Sequence, residues 1–190
     1  MPENKSYVIG LRDLYFAPFA ADGLSYEAPV KLSEAISATV TPNFQITTLF
    51  GDDRAVAVEE ALGDIDIQIN TTELPADEYN LIMGTTKNSD GVIEDSVDDV
   101  RPYGALGFRL PLTGGGFRYY WYYKGKFSPP ANTHNTKGGS AEFQTPTISG
   151  KFFARDDGKW RARLDAPKSI TANPIATTWF QEVYTPTISA

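Results

Sequence analysis

Residues 64–70 alternate strictly between polar and apolar side chains. Ile65, Ile67 and Ile69 fall on one face of an extended chain. The polar residues on the opposite face are Asp64, Asp66, Gln68 and Asn70. A period of two is typical of a strand with one face on a core and the other in water. The pattern therefore predicts a half-buried strand, the clearest element in the sequence.

Other segments rich in threonine, valine, isoleucine and aromatic residues are separated by proline and glycine, as is typical of strands joined by turns. The predicted strands cover 7–16, 35–41, 44–50, 104–112, 117–127, 143–155 and 159–165. We expect turns at 42–43, where asparagine follows proline, at the three glycines 114–116, and at 156–158. The last of these turns would make the final two strands a hairpin.

Two segments predict short helices. Pro75 suits the first position of a helix, Asp77 and Glu78 suit its positive end, and Gly84 suits its termination. The second helix is predicted at 174–184, where the apolar side would consist of Trp179, Phe180 and Val183.

The chain of 190 residues is expected to form one domain over 1–190, with its core at about 6–184. Polar stretches at 85–99 and 128–140 predict long surface loops, and 185–190 would be a short tail. Many strands and few helices predict a mainly β fold, a β-sandwich or barrel flanked by one or two short α-helices.

Residues suited to catalysis are scarce. The chain has no cysteine, and its one histidine, His134, lies in a stretch rich in proline, asparagine and glycine. Disulfides and a typical zinc site are therefore excluded, and no nucleophile motif is present. We expect no enzymatic activity, no cofactor and no metal. No signal peptide or membrane-spanning stretch is evident, so no membrane partner is expected.

Charge is divided unevenly along the chain, although its formal net charge is −7. Residues 52–99 contain fourteen carboxylates and two basic residues, whereas residues 101–168 contain twelve basic residues and four carboxylates. Opposite poles on copies of one protein attract head to tail, and such contacts build rings or filaments. The pattern predicts either self-assembly or simply one acidic and one basic face in solvent.

Five consecutive aromatic residues occupy positions 119–123. On a strand, Tyr119, Trp121 and Tyr123 share one face, and Tyr120 and Tyr122 share the other. Such a row could stack on sugar rings or pack in a core or subunit interface. Aromatic residues on both faces favour packing, because a surface that binds sugar needs only one.

Seven segments in order carry a family resemblance: 10–15 (GLRDLY), 50–54 (FGDDR), 63–67 (GDIDI), 74–79 (LPADEY), 120–127 (YWYYKGKF), 142–150 (EFQTPTISG) and 179–184 (WFQEVY). Together, over most of the chain, they resemble the major tail proteins, or tail tube proteins, of bacteriophages with long non-contractile tails, especially the phi13-type family. In that family 50–54 would be a turn, and 63–67 and 74–79 would be a strand and a short helix.

The resemblance implies the tail tube protein fold, a β-sandwich flanked by a helix, and a structural role in the virion tail. It implies hexameric rings whose strands join in an inner barrel and which stack into a hollow conduit for DNA delivery. The implied partners are further copies of the chain, the tape-measure protein, the tail terminator and the distal tail protein. Genomic DNA would pass through the lumen without specific binding, and assembly would take place in the host bacterial cytoplasm.

In such a tube, the polar face of the strand at 64–70 is expected to line the lumen, where its carboxylates would repel phosphate. The residues expected at ring-stacking or subunit contacts are Asp98, Asp99, Arg101, Tyr120, Tyr122 and Lys137. A tube from a phage-derived particle, such as a tailocin or gene-transfer agent, remains an alternative. A carbohydrate-binding β-sandwich led by Trp121 is the alternative from a different class.

Overall fold

The computed structural model describes residues 6–23, 25–132, 134–136, 143–168 and 173–186. Within these ranges the protein is mainly β with two short helices, as the sequence predicts. In chain order, the elements are β1 (Arg12–Pro18), β2 (Val30–Lys31), β3 (Ala35–Gly51), β4 (Arg54–Thr71), α1 (Ala76–Met83), β5 (Gly104–Pro111), β6 (Gly116–Phe127), β7 (Thr147–Phe153), β8 (Arg161–Pro167) and α2 (Pro174–Thr178).

The strands form one eight-stranded antiparallel sheet in the order β2-β1-β5-β6-β7-β4-β3, and β8 pairs with β6 beside this path. The sheet is not closed into a barrel, because β2 and β3 are its outer strands and do not pair with each other in the described part of the chain. The prediction of a mainly β protein with one or two short helices is therefore confirmed, whereas the closed barrel is not present among the described strands.

The hairpin of β3 and β4 is much longer than the sequence predicts. The expected turn at 42–43 is wrong, because β3 runs on through Pro42 with only a shift of register opposite β4. Proline is tolerated there because β3 is an outer strand. The chain turns instead at Asp52 and Asp53, whose φ angles of 49° and 58° suit a two-residue hairpin turn.

The predicted hairpin of the last two strands is also wrong. β7 pairs with residues 124–127 of β6, and β8 pairs with residues 116–122 of the same strand. Both run antiparallel to β6, so β7 and β8 follow one another in one direction along its edge. The turn at 156–158 exists, with Gly158 N donating to Arg155 O at 2.8 Å, but it interrupts an edge instead of reversing the chain.

Several element ends differ from the predictions. The first strand begins at Arg12 because the segment at 7–9 lies outside the main ladder, and Tyr7 and Ile9 are exposed there. β7 begins at Thr147, and α2 ends at Thr178. α1 matches its prediction to within one residue: Pro75 is the N-cap before the helix instead of its first residue, and Gly84 ends the helix in the left-handed conformation (φ 74°).

Apolar side chains are buried on both faces of the sheet. The larger core lies on the side that packs against α1, and its buried members include Phe16, Ile65, Ile67, Ile69, Ile82, Leu106, Phe127 and Phe152. The smaller core lies on the side covered by α2 and the segment after it, and its buried aromatic members are Tyr119, Trp121, Tyr123 and Trp179. The aromatic run at 119–123 therefore belongs to two cores, one on each side of β6.

A bulge in β6 keeps its aromatic residues in register with these cores. Gly104 and Leu106 of β5 are separated by one residue, whereas their partners Gly125 and Tyr122 on β6 are separated by two. An extra residue in one strand exchanges the faces of the residues beyond it. Tyr122 and Phe127 consequently pack in the same core, although strict alternation would place them on opposite faces.

Candidate assembly surfaces

The polar face of β4 is formed as the alternation predicts. Ile65, Ile67 and Ile69 are at most 1% exposed, and the residues between them project from the other side of the sheet. The polar residues on that side are Asp64, Asp66, Gln68 and Asn70. Thr147 of β7 donates to the Asn70 Oδ1 atom at 2.7 Å, and the Asn70 amide donates to Ser37 of β3 at 3.1 Å. A hydrogen-bonded polar surface thus extends over three strands.

Lys151 of β7 lies between the two carboxylates of this face. Its Nζ atom contacts Asp64 and lies 3.0 Å from Asp66 Oδ1. The Asn43 amide donates to Asp64 at 3.0 Å and to Asp66 at 2.8 Å. Hydrogen bonds from Lys151 and Asn43 lower the pKa of both Asp64 and Asp66. The bond from Lys151 has the larger effect on Asp64, whereas the bond from Asn43 has the larger effect on Asp66.

This arrangement changes the expected electrostatics of the polar face. With one lysine between two carboxylates, the cluster carries a formal charge of about −1 instead of −2. No local sequence signal places Lys151 here, because it is 87 positions from Asp64 and only the pairing of Asp66 with Lys151 brings it to the cluster. The hydrogen bonds to Asp64 and Asp66 raise the pKa of Lys151, so it stays charged.

The connection between α1 and β5, residues 84–103, which we call the acidic loop, holds three of the residues expected at contacts between copies. Asp98 and Arg101 are exposed, whereas Asp99 is half-buried and accepts a hydrogen bond from Ser96 N at 2.7 Å. Asp99 therefore stabilises its own loop, and Asp98 and Arg101 remain available to a partner. Lys137 lies outside the described residues.

The two tyrosines expected at a contact differ in exposure. Tyr122 is 3% exposed and stacks against Phe108, so its side chain is occupied within the chain and offers no surface to a second copy. Tyr120 is half-buried and retains an accessible side. Trp121 is fully buried, and its Nε1 atom donates to Trp179 O at 3.0 Å. The packing interpretation of these residues is confirmed, and the proposed sugar-stacking row is not on the surface.

A further exposed feature is the outer half of the β3–β4 hairpin, residues 44–62, which we call the arm. Its strands pair only with each other in the described part of the chain, because β7 pairs with β4 no farther than Ile65. The β3 strand of the arm, residues 44–51, extends about 26 Å at ~3.3 Å per residue. A two-stranded hairpin alone is marginally stable in water, so the arm lacks the support that the rest of the sheet has.

One face of the arm is mainly apolar, although Glu60 lies opposite Ile46 on it. It continues the face of β3 that packs in the larger core, and its exposed members are Phe44 (49%), Ile46 (64%), Phe50 (68%) and Val58 (62%). Fully burying one such side chain contributes about 1.5–3 kcal/mol, so covering the exposed parts of these four is worth about 4–7 kcal/mol. An apolar row of this size on an unsupported hairpin indicates an interaction surface.

The arm is also acidic. Asp52, Asp53, Glu59 and Glu60 accompany one base, Arg54, which gives a net charge of −3. None of these five side chains takes part in an ion pair within the ranges that the structure describes. Their charge is therefore available to a basic partner.

A basic and aromatic surface, which we call the β8 face, lies on β6, β8 and the residue before β8. It consists of Tyr120, Trp160, Arg161 and Arg163. The Arg161 guanidinium lies 4.5 Å from the centre of the Trp160 ring and has no carboxylate partner among the described side chains. Arg163 pairs with Asp165 at 2.6 Å, and the bond to that carboxylate raises the pKa of Arg163. Because β8 pairs only with β6 in the described ranges, its other edge is open.

The remaining candidate chemistry is limited. His134 is exposed at a cleft of about 500 Å³ that Glu73 and Tyr79 also line. Among the residues that can be described, no group of three or more His, Cys, Asp or Glu side chains is placed to hold a metal ion. Neither described helix has the length and apolar character needed to cross a bilayer.

No protein-family model matches the chain, and no curated protein matches it.

Proposed function

We propose that this protein is the structural subunit of a bacteriophage tail tube. In this proposal, copies assemble into hexameric rings, and the rings stack into a hollow conduit for DNA delivery. The observation that carries the proposal is the arm, a β-hairpin whose apolar side chains are uncovered in the single chain. The seven segments that together resemble the tail tube family indicate that the assembly is a tube of stacked rings.

The open sheet supports assembly through its strand edges. β3 presents an outer edge of 17 residues, and β8 presents a shorter one. Unpaired strand edges expose backbone donors and acceptors that another strand can pair with. Edges of neighbouring copies joined in this way would complete the barrel that one sheet alone leaves open, as in the tail tube protein fold.

The polar face of β4 suits the lumen of such a tube. Asp64, Asp66 and Asn70 have hydrogen-bond partners within the chain, so few groups of this face are left to bind a passing DNA strand. The Asp64–Lys151–Asp66 cluster has a small negative charge, which repels phosphate weakly when it is repeated around a ring. A surface of this kind lets DNA pass without specific binding.

The acidic loop is the candidate for contacts between stacked rings. Asp98 and Arg101 are exposed there, and Val97 and Val100 are among the most exposed apolar residues of the chain. In the virion tail, the tape-measure protein would occupy the lumen during assembly in the host cytoplasm. The terminator and the distal tail protein would meet the two ends of the tube.

The test is electron microscopy of the concentrated purified protein. Hexameric rings or tubes with a hollow bore support the proposal. A protein that stays monomeric at every concentration, and is absent from purified tails of a phage that encodes it, contradicts it. Sequencing the nucleic acid in intact particles then separates a phage from a tailocin or gene-transfer agent. Because Trp121 is buried, we expect no binding in a glycan-array assay.

A further inference from the structure

We infer that the arm of one copy docks on the β8 face of a second copy; this inference deepens the proposed function and rests on its self-assembly. The arm presents an apolar row flanked by carboxylates, and the β8 face presents half-buried aromatic rings flanked by guanidinium groups. The two surfaces therefore match in both apolar character and charge.

Charge identifies the occupant as a second copy. The arm has a net charge of −3, and its acidic residues have no ion-pair partner in the described chain. Arg161 has an exposed guanidinium that rests on Trp160 without a carboxylate partner in the same described ranges. A chain that carries an acidic surface without ion pairs and a basic surface where Arg161 has no carboxylate partner among the described residues is electrostatically complementary to itself.

The geometry favours a contact between copies over one within the chain. β8 is held against β6, whereas the arm leaves the sheet beyond Ile65, where the pairing of β4 with β7 ends. The arm and the β8 face are different surfaces, so the contact is head to tail: each copy gives its arm to one neighbour and receives the arm of another. Contacts of this type close into a ring or continue as a filament, whereas a two-fold dimer would use one surface twice.

Charge reversal tests the contact. We expect Arg161→Glu with Arg163→Glu to raise the protein concentration needed for assembly about tenfold or more in sedimentation velocity, because attraction becomes repulsion. Asp53→Lys with Glu60→Lys on the arm is expected to have the same effect. The chain that carries all four changes is expected to regain assembly, since both surfaces then have reversed charges. Circular dichroism verifies that each variant is folded.

The matched control changes the same amount of charge elsewhere. Arg12 and Lys31 are exposed basic residues outside both surfaces and outside the acidic loop, and Arg12→Glu with Lys31→Glu is expected to leave assembly unchanged. If the unaltered chain assembles and the Arg161 and Arg163 reversal does not weaken assembly, the inference is overturned while the proposed function stands. Failure of the four-change chain to recover, with both parent variants folded, also overturns it. If the unaltered chain never assembles, the proposed function itself fails.

The absence of cysteine allows a second test by crosslinking. Val58→Cys on the arm and Arg163→Cys on the β8 face are purified separately, mixed and oxidised. We expect a disulfide-linked dimer containing one copy of each variant. Arm-to-arm dimers of the Val58→Cys protein alone, with no mixed dimer, would replace the inference with a two-fold contact.

Discussion

Replacing Trp121 by phenylalanine tests the two-core packing most directly. The indole is fully buried in the smaller core, where its ring meets Phe180 at a centroid distance of 5.8 Å. Gly107 lies so close that a Cβ atom there would come within 2.6–2.8 Å of the indole ring. The Nε1 atom donates to Trp179 O at 3.0 Å. Phenylalanine retains an apolar ring but loses part of the volume and the hydrogen-bond donor.

The expected cost combines two effects. Removing a whole buried tryptophan side chain costs about 3–5 kcal/mol, so the partial loss with phenylalanine is worth about 1–2 kcal/mol. Leaving the Trp179 carbonyl without its buried donor costs about 1–3 kcal/mol more. Because a domain is stable by about 5–15 kcal/mol in total, a loss of about 2–5 kcal/mol leaves a folded protein whose destabilisation can be measured.

The assay is equilibrium urea unfolding at a concentration where the chain is monomeric, followed by circular dichroism. We expect a lower midpoint with an unchanged slope, which indicates altered stability without a change in compactness. Trp160→Phe is the control, because this ring is partly exposed, and we expect it to change the free energy of unfolding by less than about 1 kcal/mol. A similarly small effect for Trp121→Phe would refute the buried, hydrogen-bonded position of that residue.

Two further changes test the larger core and the alkaline limit of stability. Gly125→Ala places a Cβ atom 2.2–2.6 Å from the Phe152 ring, so it is expected to destabilise the fold by about 1–3 kcal/mol or more in thermal unfolding; an unchanged melting temperature would contradict this close packing. Burial raises the pKa of Tyr26, whose hydroxyl donates to Tyr123 O at 2.8 Å, from 10.0 to about 12. The folded state therefore keeps this proton where the unfolded state loses it, and the stabilisation present below pH 10.0 is lost as the pH rises toward 12. We expect Tyr26→Phe to make the decline in the free energy of unfolding with rising pH shallower. Part of the decline remains, because burial also raises the pKa of Tyr122 and of Tyr123. An equally steep decline would assign alkaline unfolding to other groups.

Local signals in the sequence predicted the elements that depend on neighbouring residues. The alternation at 64–70 predicted which face of β4 is buried, and the Pro75 and Gly84 signals predicted the limits of α1. Local signals failed where the same residues are compatible with two different local structures. Pro42 with Asn43 is typical of a turn, yet an outer strand with a shifted register tolerates the same residues.

Part of the candidate assembly surface could also be predicted. The alternation identified the polar face of β4, and the division of charge along the chain indicated association. The position of Lys151 between Asp64 and Asp66 could not be predicted, because it depends on strand pairing across 87 positions. The packing of Phe127 in the same core as Tyr122 likewise depends on the bulge in β6, which alternation alone does not indicate.

The sequence by itself determined the class of secondary structure, the buried face of its clearest strand and the opposed charges of residues 52–99 and 101–168, since these depend on residue type and short-range spacing. Only the tertiary structure decided which strands are neighbours, which edges stay open and which apolar residues are left uncovered. Phe44 and Ile46 show the difference: their alternation is that of residues facing a core, but they lie beyond the end of that core. Exposure depends on what the rest of the chain covers, and no local pattern contains that information.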